Sequence, residues 1–374
     1  MRIAINCRSF LLKHYAGIGR YASNLVKSLS ELDHENEYLL YVKKGLFDFK
    51  RQVPSVNAPN FHVKVDNFNQ GLNKTLGKVD IYHSPSPDYL NIESAKIIVT
   101  VHDLVYKTFP QGHTSATAIE TEKHMQEIVK KASKIICCSK STLLDLHKYF
   151  DIDKNKSCIV YQGVDKNEFF PAKGKELEMA QNVVALKGVD GPFILFVGTI
   201  EPRKNIDNII YAYSLLKSKR KFSGKLVCIG VKGWKSEGTF ELIKRLGLSS
   251  DVFFLGYVTN RELRYFYSLA EVFVFPSFYE GFGFPILEAF SCGAAVVTSN
   301  VSSCPEIAQD AALTVGPQRF EEIAEAIERV ITDKNFKHDL QQRAIKRSHD
   351  FSFAKTAEET LKVYREVYQL GGVA

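Results

Sequence analysis

Apolar and polar positions along the chain follow two rhythms. Short runs rich in β-branched and aromatic residues recur at 2–6, 38–42, 61–65, 80–83, 97–101, 135–139 and 158–161. Such continuous apolar runs are what strands of a parallel sheet, covered on both faces, require. Between several of them the apolar residues take helical spacing. Tyr21, Leu25, Leu29 and Leu32 line one side of 19–32, and Ile128, Val129 and Ala132 stand among charges in 117–132. Strands alternating with helices predict βαβ units.

The same rhythm restarts further on. Runs at 193–197, 226–229, 252–255, 272–275, 295–298 and 313–315 predict strands, with helices between them at 205–217, 238–246, 261–269, 285–291 and 320–332. This is a second doubly wound α/β unit. The stretch from Gly163-Val164-Asp165 through Pro171 to Gly174 reads as the connector, followed by a helical segment at 175–189 and by Gly191-Pro192. The expected domains are 1–171 and 172–351. Residues 351–370 read as one amphipathic helix, with Leu361, Tyr364, Val367 and Tyr368 in register. Open α/β sheets bind ligands beyond the carboxyl ends of their strands, so two such sheets joined by a linker predict a site in a cleft between domains.

Length agrees with this division, because 374 residues exceed what one hydrophobic core organises. No apolar run approaches the roughly 18–20 residues that a bilayer span needs, and no leader-like segment follows Met1, so a soluble cytoplasmic protein is expected. The seven cysteines include no Cys-x-x-Cys pair, and most sit in or beside strand-like runs, which predicts buried reduced thiols rather than a zinc site. The formal charge of +7 is unevenly spread. The first 170 residues carry 23 basic and 18 acidic side chains, the remainder 26 and 24. Lys123, Lys130, Lys131, Lys134, Lys140 and Lys148 concentrate this excess around one or two helices. They could meet an anionic membrane surface, although Glu120, Glu122 and Glu127 among them also fit an ordinary solvated face.

The strongest chemical signal is Pro276-Ser277-Phe278-Tyr279-Glu280-Gly281-Phe282-Gly283-Phe284-Pro285-Ile286-Leu287-Glu288, which follows a buried strand and opens a helix. Gly281 and Gly283 allow a sharp turn, and Pro285 suits a first helical turn. The helix start favours an anion or a polyhydroxylated ligand, to which Glu280 and Glu288 could offer acceptors. A solvated loop and a water-facing charge are the plainer alternative. Gly198-Thr199-Ile200-Glu201-Pro202-Arg203-Lys204-Asn205 also follows a strand, with Asn205 the expected helix cap. Arg203 and Lys204 there could clamp a diphosphate and stabilise a leaving group without a metal, whereas an isolated Arg-Lys pair is more often an exposed basic turn. Ala16-Gly17-Ile18-Gly19-Arg20-Tyr21 offers a glycine loop between the first strand and helix, but lacks the third glycine of a dinucleotide fingerprint. His102 ends a strand, where it could bond a substrate hydroxyl with Asp103 orienting its ring, and His83 is a similar, weaker candidate. Asp151-Ile152-Asp153 matches a metal-binding Asp-x-Asp superficially, amid lysines of a surface loop. No metal site, phosphate loop or nucleic-acid partner is expected.

Together these segments resemble the retaining nucleotide-sugar glycosyltransferases of family 4, and in particular bacterial mannosyltransferases of surface polysaccharide synthesis. The similarity rests on Glu280-x7-Glu288 within EGFGFPILEAFSCGAAVV, on GTIEPRKNI, AGIGRY, the VHD strand end and YQGVD through Pro171, in the family's order. It implies the GT-B fold, two facing Rossmann-like domains with the site in the cleft, the first binding the acceptor and the second the donor. It implies that the C-terminal helix, 352–374, joins the first domain. It also assigns roles. Glu280 and the backbone of Gly281, Phe282, Gly283 and Phe284 would hold the donor sugar, Glu288 the ribose, and Arg203 and Lys204 the diphosphate, with Gly17 and Gly19 nearby. His102 would contact the sugar, and Tyr257 and Val258 would border the base. No cofactor or metal is implied. The donor would be a nucleoside diphosphate hexose, GDP-mannose favoured over rhamnose, glucose or N-acetylglucosamine donors, and the acceptor a saccharide or lipid-pyrophosphate-linked saccharide. The linker departs from the family in reading Tyr-Gln-Gly-Val-Asp where Asn-Gly-Val-Asp is usual. A nucleotide-sugar epimerase, a phosphorylase, a nicotinamide dehydrogenase and a non-catalytic sugar-nucleotide-binding protein remain alternatives.

Overall fold

The computed structural model describes residues 1–10, 17–45, 54–88, 92–93, 95–110 and 115–370. The chain forms two compact units, Met1–Gly163 with Ser352–Ala374, and Val164–Phe351. The first contains strands β1 (Arg2–Asn6), β2 (Glu37–Lys43), β3 (Phe61–Asp66), β4 (Ile81–Ser84), β5 (Lys96–Val101), β6 (Lys134–Cys137) and β7 (Ser157–Ile159). They form one parallel sheet in the order β3-β2-β1-β4-β5-β6-β7, which reverses direction between β1 and β4. The second contains β8 (Phe193–Val197), β9 (Lys225–Ile229), β10 (Val252–Gly256), β11 (Val272–Phe275), β12 (Val296–Ser299) and β13 (Leu313–Val315), parallel in the order β10-β9-β8-β11-β12-β13. Each sheet is the doubly wound kind, with a switch point beside its first strand.

The apolar runs become strands because both sheet faces are covered. On one face of the first sheet Ala4, Leu39, Val99 and Ile135 share a core with Met125, Ile128 and Leu146 of the flanking helices. The other face receives the helices Gly17–Leu32 and Phe353–Gln369, which pack on each other. The C-terminal helix thus completes the first unit, with Tyr364 and Val367 buried. Helix Lys334–Ser348 escapes the apolar pattern because it buries only a stripe of Leu340, Ala344 and Ser348.

The division between units falls after Gly163 rather than at 171. Residues beyond it are tied to the second unit: Asn260 Nδ2 donates to Glu168 Oε2 at 2.7 Å, Phe169 packs edge-on against Tyr267, and the Ala172 N–H donates to Ser268 Oγ. Gly163 itself lies so close to the backbone of Ser352 and Phe353 that a Cβ there would be 2.2 Å from the Phe353 nitrogen. Gly17 and Gly19 lie in the first turn of helix Gly17–Leu32, not in a loop before it; Ala16 falls outside the described residues. Lys134 is not part of an exposed basic face. It is buried, with Nζ 2.5 Å from Glu366 Oε1 and 2.9 Å from the Asn155 carbonyl. None of the seven cysteines forms a disulfide, and six are buried. Among the described residues no helix is long and apolar enough to cross a membrane.

His83 joins the elements of this face. Its Nδ1 is 2.7 Å from the Tyr364 hydroxyl and its Nε2 is 2.9 Å from Thr100 Oγ1, which also meets the Tyr21 hydroxyl at 3.2 Å. The ring is fully buried, and burial together with the neighbouring His102 pushes its pKa down to about 3. Below about pH 6.5 the unfolded chain therefore takes up a proton that the folded chain refuses, and stability falls as pH falls. This contribution declines by up to about 1.4 kcal/mol per pH unit between those two values. Urea unfolding at pH 7.5 and pH 5 should show a larger loss for the wild type than for H83Q. Equal losses would remove His83 as the cause.

Candidate active site

The apolar strand β11 (Val272–Phe275) ends at Pro276, which cannot donate to a continuing ladder. The chain then runs as a loop to Gly283, whose φ of 107° favours glycine, and enters helix Phe284–Ser291 with Pro285 in its first turn. Gly281 needs no such conformation. Two serines shape this loop. Ser302 Oγ accepts from the Glu280 N–H at 2.9 Å, and Ser303 Oγ donates to the carbonyls of Glu280 and Phe282 at 2.9 and 2.8 Å. Phe282 is buried against Phe284 and Phe351.

The neighbouring strand β8 leads into a 3₁₀ turn, Pro202–Lys204. Asn205 follows at φ 61°, a left-handed conformation that asparagine tolerates. It does not cap the next helix with its side chain. Its amide instead donates to the carbonyls of Pro276 (2.8 Å) and Pro317 (2.6 Å), fastening this turn to the loop after β11. The Phe278 N–H donates to the Arg203 carbonyl, adding a backbone link.

These ties bring Arg203, Lys204 and Glu280 together. Lys204 Nζ is 2.7 Å from Glu280 Oε1, and Arg203 Nη1 is 3.1 Å from Glu280 Oε2. Arg203 also forks onto Glu201 Oε1 and donates to the Tyr279 carbonyl at 2.8 Å. Glu280 and Lys204 are buried, at 7% and 9% exposure, so the plainer readings of a solvated carboxylate and an exposed basic turn do not hold. Burial alone would push the Glu280 carboxyl up, but Lys204 and Arg203 outweigh it and hold the group below the usual carboxylate range. Burial and the neighbouring Arg203 lower the Lys204 ammonium, and Glu280 opposes them. With Glu201 the four side chains sum to zero charge, so the two cations are already neutralised within the protein. Glu288 is also buried, in helix Phe284–Ser291, where Tyr267 donates to its Oε2 at 3.1 Å. Val258 is buried, while Tyr257 is 60% exposed at the end of β10.

His102 belongs to the first unit, after β5. Its Nε2 is 2.7 Å from the Pro85 carbonyl, which only accepts, so that nitrogen carries the proton. Nδ1 then accepts from the Gln162 amide at 2.7 Å. Asp103 does not orient the ring; its carboxylate accepts the Val105 N–H instead. Burial lowers the imidazole pKa against the pull of the Pro85 carbonyl and Asp103, in keeping with a neutral ring. The Pro85 carbonyl therefore sets the tautomer, and Gln162, in the segment that departs from the family pattern, occupies the remaining ring nitrogen. Asp153 of the Asp-x-Asp accepts the Asn155 N–H as the cap of a short turn. Among the described residues no group of three or more His, Cys, Asp or Glu is placed to hold a metal.

Comparison with known proteins bears on the family and the fold. The family model "Glycosyltransferase Family 4" matches residues 15–168, and "Glycosyl transferases group 1" matches residues 180–347. The chain is 29% identical over 373 residues to O-antigen chain mannosyltransferase B of Escherichia coli, covering 93% of this chain and 96% of that one. It is 26% identical over 369 residues to the serotype-specific mannosyltransferase WbdA of Escherichia coli, of whose longer chain it spans 45%. Sucrose-phosphate synthase from Thermosynechococcus elongatus has the same fold, with a TM-score of 0.79 at 20% identity over 99% of this chain and all of that one. WaaG, a glycosyltransferase involved in lipopolysaccharide biosynthesis, follows at 0.72 and 14% identity over 96% and 99%. Two Rossmann-like domains, each matched by its own glycosyltransferase family model, make this chain a member of the family 4 glycosyltransferases with the GT-B fold.

Proposed function

We propose that the enzyme transfers a hexose, mannose in preference, from a nucleoside diphosphate sugar such as GDP-mannose to a saccharide or lipid-linked saccharide, retaining the anomeric configuration and using no metal or cofactor. The observation that carries the reading is the convergence of Arg203, Lys204 and Glu280 at the carboxyl ends of two adjacent strands. The mannosyltransferase relatives support the choice of sugar and a role in surface polysaccharide synthesis.

In this reading the donor diphosphate displaces Glu280 from Arg203 and Lys204. The freed carboxylate then accepts hydrogen bonds from hydroxyls of the sugar, while Glu288 serves the ribose and Tyr257 and Val258 border the base. The acceptor oxygen attacks the anomeric carbon on the face from which the diphosphate departs. The bond to the diphosphate breaks, the glycosidic bond forms, and the acceptor's proton passes to the departing phosphate oxygen. Charge grows on that oxygen in the transition state, where a fork and a point charge already in place act most strongly. No pair of carboxylates acting as acid and nucleophile is needed.

The acceptor belongs to the first unit in this reading, with a peripheral contact at the cytoplasmic membrane face. Lys123, Lys130, Lys140 and Lys148 are exposed and could face anionic lipid at up to about 1 kcal/mol each, whereas Lys131 pairs with Glu127 at 2.7 Å. Sedimentation with vesicles containing anionic lipid should fall when these four lysines are replaced by glutamine; unchanged sedimentation removes the contact. In a thermal unfolding screen GDP should stabilise the protein by about 2.7 kcal/mol at 100 times its Kd, and by more than UDP or dTDP at the same concentration. A flat response to all three would overturn the donor assignment. Lys204→Ala should cost on the order of 10²–10³-fold in transfer rate, with the unfolding profile recorded alongside to show that the variant is folded. Near-normal turnover would remove the clamp role.

A further inference from the structure

In the second sheet β9 lies between β8, which leads to the turn bearing Arg203 and Lys204, and β10, which is followed by Tyr257. A nucleoside diphosphate with its phosphates at the first and its base beside the second must cross the carboxyl end of β9. The chain there reads Gly230-Val231-Lys232-Gly233-Trp234-Lys235-Ser236, with two cations and the protein's one tryptophan. This segment is fastened to both neighbours. The Gly230 N–H donates to the Gly256 carbonyl at 2.9 Å, the Ile200 N–H to the Val231 carbonyl at 3.0 Å, and the Gly233 N–H to the Ile200 carbonyl at 3.0 Å. A Cβ on Gly230 would lie 2.0 Å from the Gly198 carbonyl oxygen, and one on Gly233 would lie 2.6 Å from Thr199 Cγ2. Only glycine lets the segment lie this close to the stretch that leads into Arg203 and Lys204.

The two lysines are held by rings rather than by carboxylates. Lys232 Nζ is 4.4 Å from the ring centroid of Phe240, in helix Glu237–Arg245, and Lys235 Nζ is 4.9 Å from that of Trp234. Phe240 in turn packs on Phe254 of β10 with centroids 4.8 Å apart. Among the described residues neither lysine forms an ion pair, and Glu237, two positions after Lys235, is bonded to neither. A ring beneath an ammonium restrains its stem without cancelling its charge. The clamp differs in this respect. Arg203 and Lys204 are already matched by Glu201 and Glu280, so a diphosphate that enters it brings negative charge that these four side chains do not balance. Lys232 and Lys235 are exposed cations without a carboxylate, one strand away.

We propose that Lys232 and Lys235 form a second cation pair of the donor site, facing the diphosphate and supplying the charge that the neutralised clamp lacks. The assignment rests on the donor reading above. Titration calorimetry of the full chain with GDP, UDP and dTDP first identifies the diphosphate that binds most tightly, and that one serves as the probe. At about 0.1 M salt Lys232→Gln and Lys235→Gln should each weaken its binding about fivefold, the worth of one unit charge at about 4 Å in water. At about 1 M salt the Debye length shrinks from about 10 to about 3 Å, and both variants should approach the wild type. The double variant Lys219→Gln/Lys244→Gln removes lysines near the carboxyl ends of helices Ile206–Ser218 and Glu237–Arg245, away from the donor side of the sheet, and should bind as the wild type does. Wild-type affinity in both loop variants, an equal loss in the double variant, or a loss that persists at high salt overturns the cation pair while leaving the donor reading intact. Failure of the wild type to bind any of the three diphosphates overturns the donor reading and the cation pair with it.

Discussion

An ionised carboxylate almost closed off from water cannot stand alone, because moving a charge out of water costs more than any nearby packing returns. Glu280 meets this constraint with two cations, and much of the local architecture of the second unit follows from it. The turn after β8 must lie beside the loop after β11, and Asn205 fastens one to the other through the Pro276 carbonyl. The loop must hold its shape, and Ser302 and Ser303 bind its backbone. Removing one partner from such a buried pair typically costs about 3–5 kcal/mol, so the residues proposed to bind the diphosphate also support the fold around them.

The same economy of polar groups recurs in the first unit. Parallel sheets leave the carboxyl ends of their strands as the place where side chains can converge. His102, His83 and Asp66 each lie at or near such an end. Each has its hydrogen bonds satisfied by neighbours, and the imidazoles are kept neutral while the carboxylate is kept ionised. Polar groups that are fixed in this way change little when a ligand arrives, which is what preorganisation requires.

How much of this was legible in the sequence depends on the range of the interaction. The strands were legible because burial on both faces leaves an apolar run that needs no partner to be recognised. Glu280 and Glu288 were legible because a strand, a glycine turn and a helix start are contiguous. The ion pairs of Glu280 were not, since Lys204 lies 76 positions away and nothing local couples them. Asn205 looked like a cap because asparagine before a helix usually is one; its left-handed backbone turns the amide elsewhere. Lys134 looked like one more surface lysine until Glu366 of the C-terminal helix covered it. Gln162 stood out only as a departure from a pattern, and its bond to His102 crosses 60 positions.

The return of helix Phe353–Gln369 to the first unit has a consequence for how the protein is made. The face that this helix covers includes His83 and Tyr21, which leave the ribosome well before it. Between Gly163 and Ser352 the ribosome must deliver the whole of Val164–Phe351, roughly ten to forty seconds of work at about 5–20 residues per second. Throughout that interval this face of the sheet is covered by helix Gly17–Leu32 alone. The first unit is thus completed only after the second, and a nascent chain that stalls late is more exposed to chaperones and proteases than one whose domains close in order.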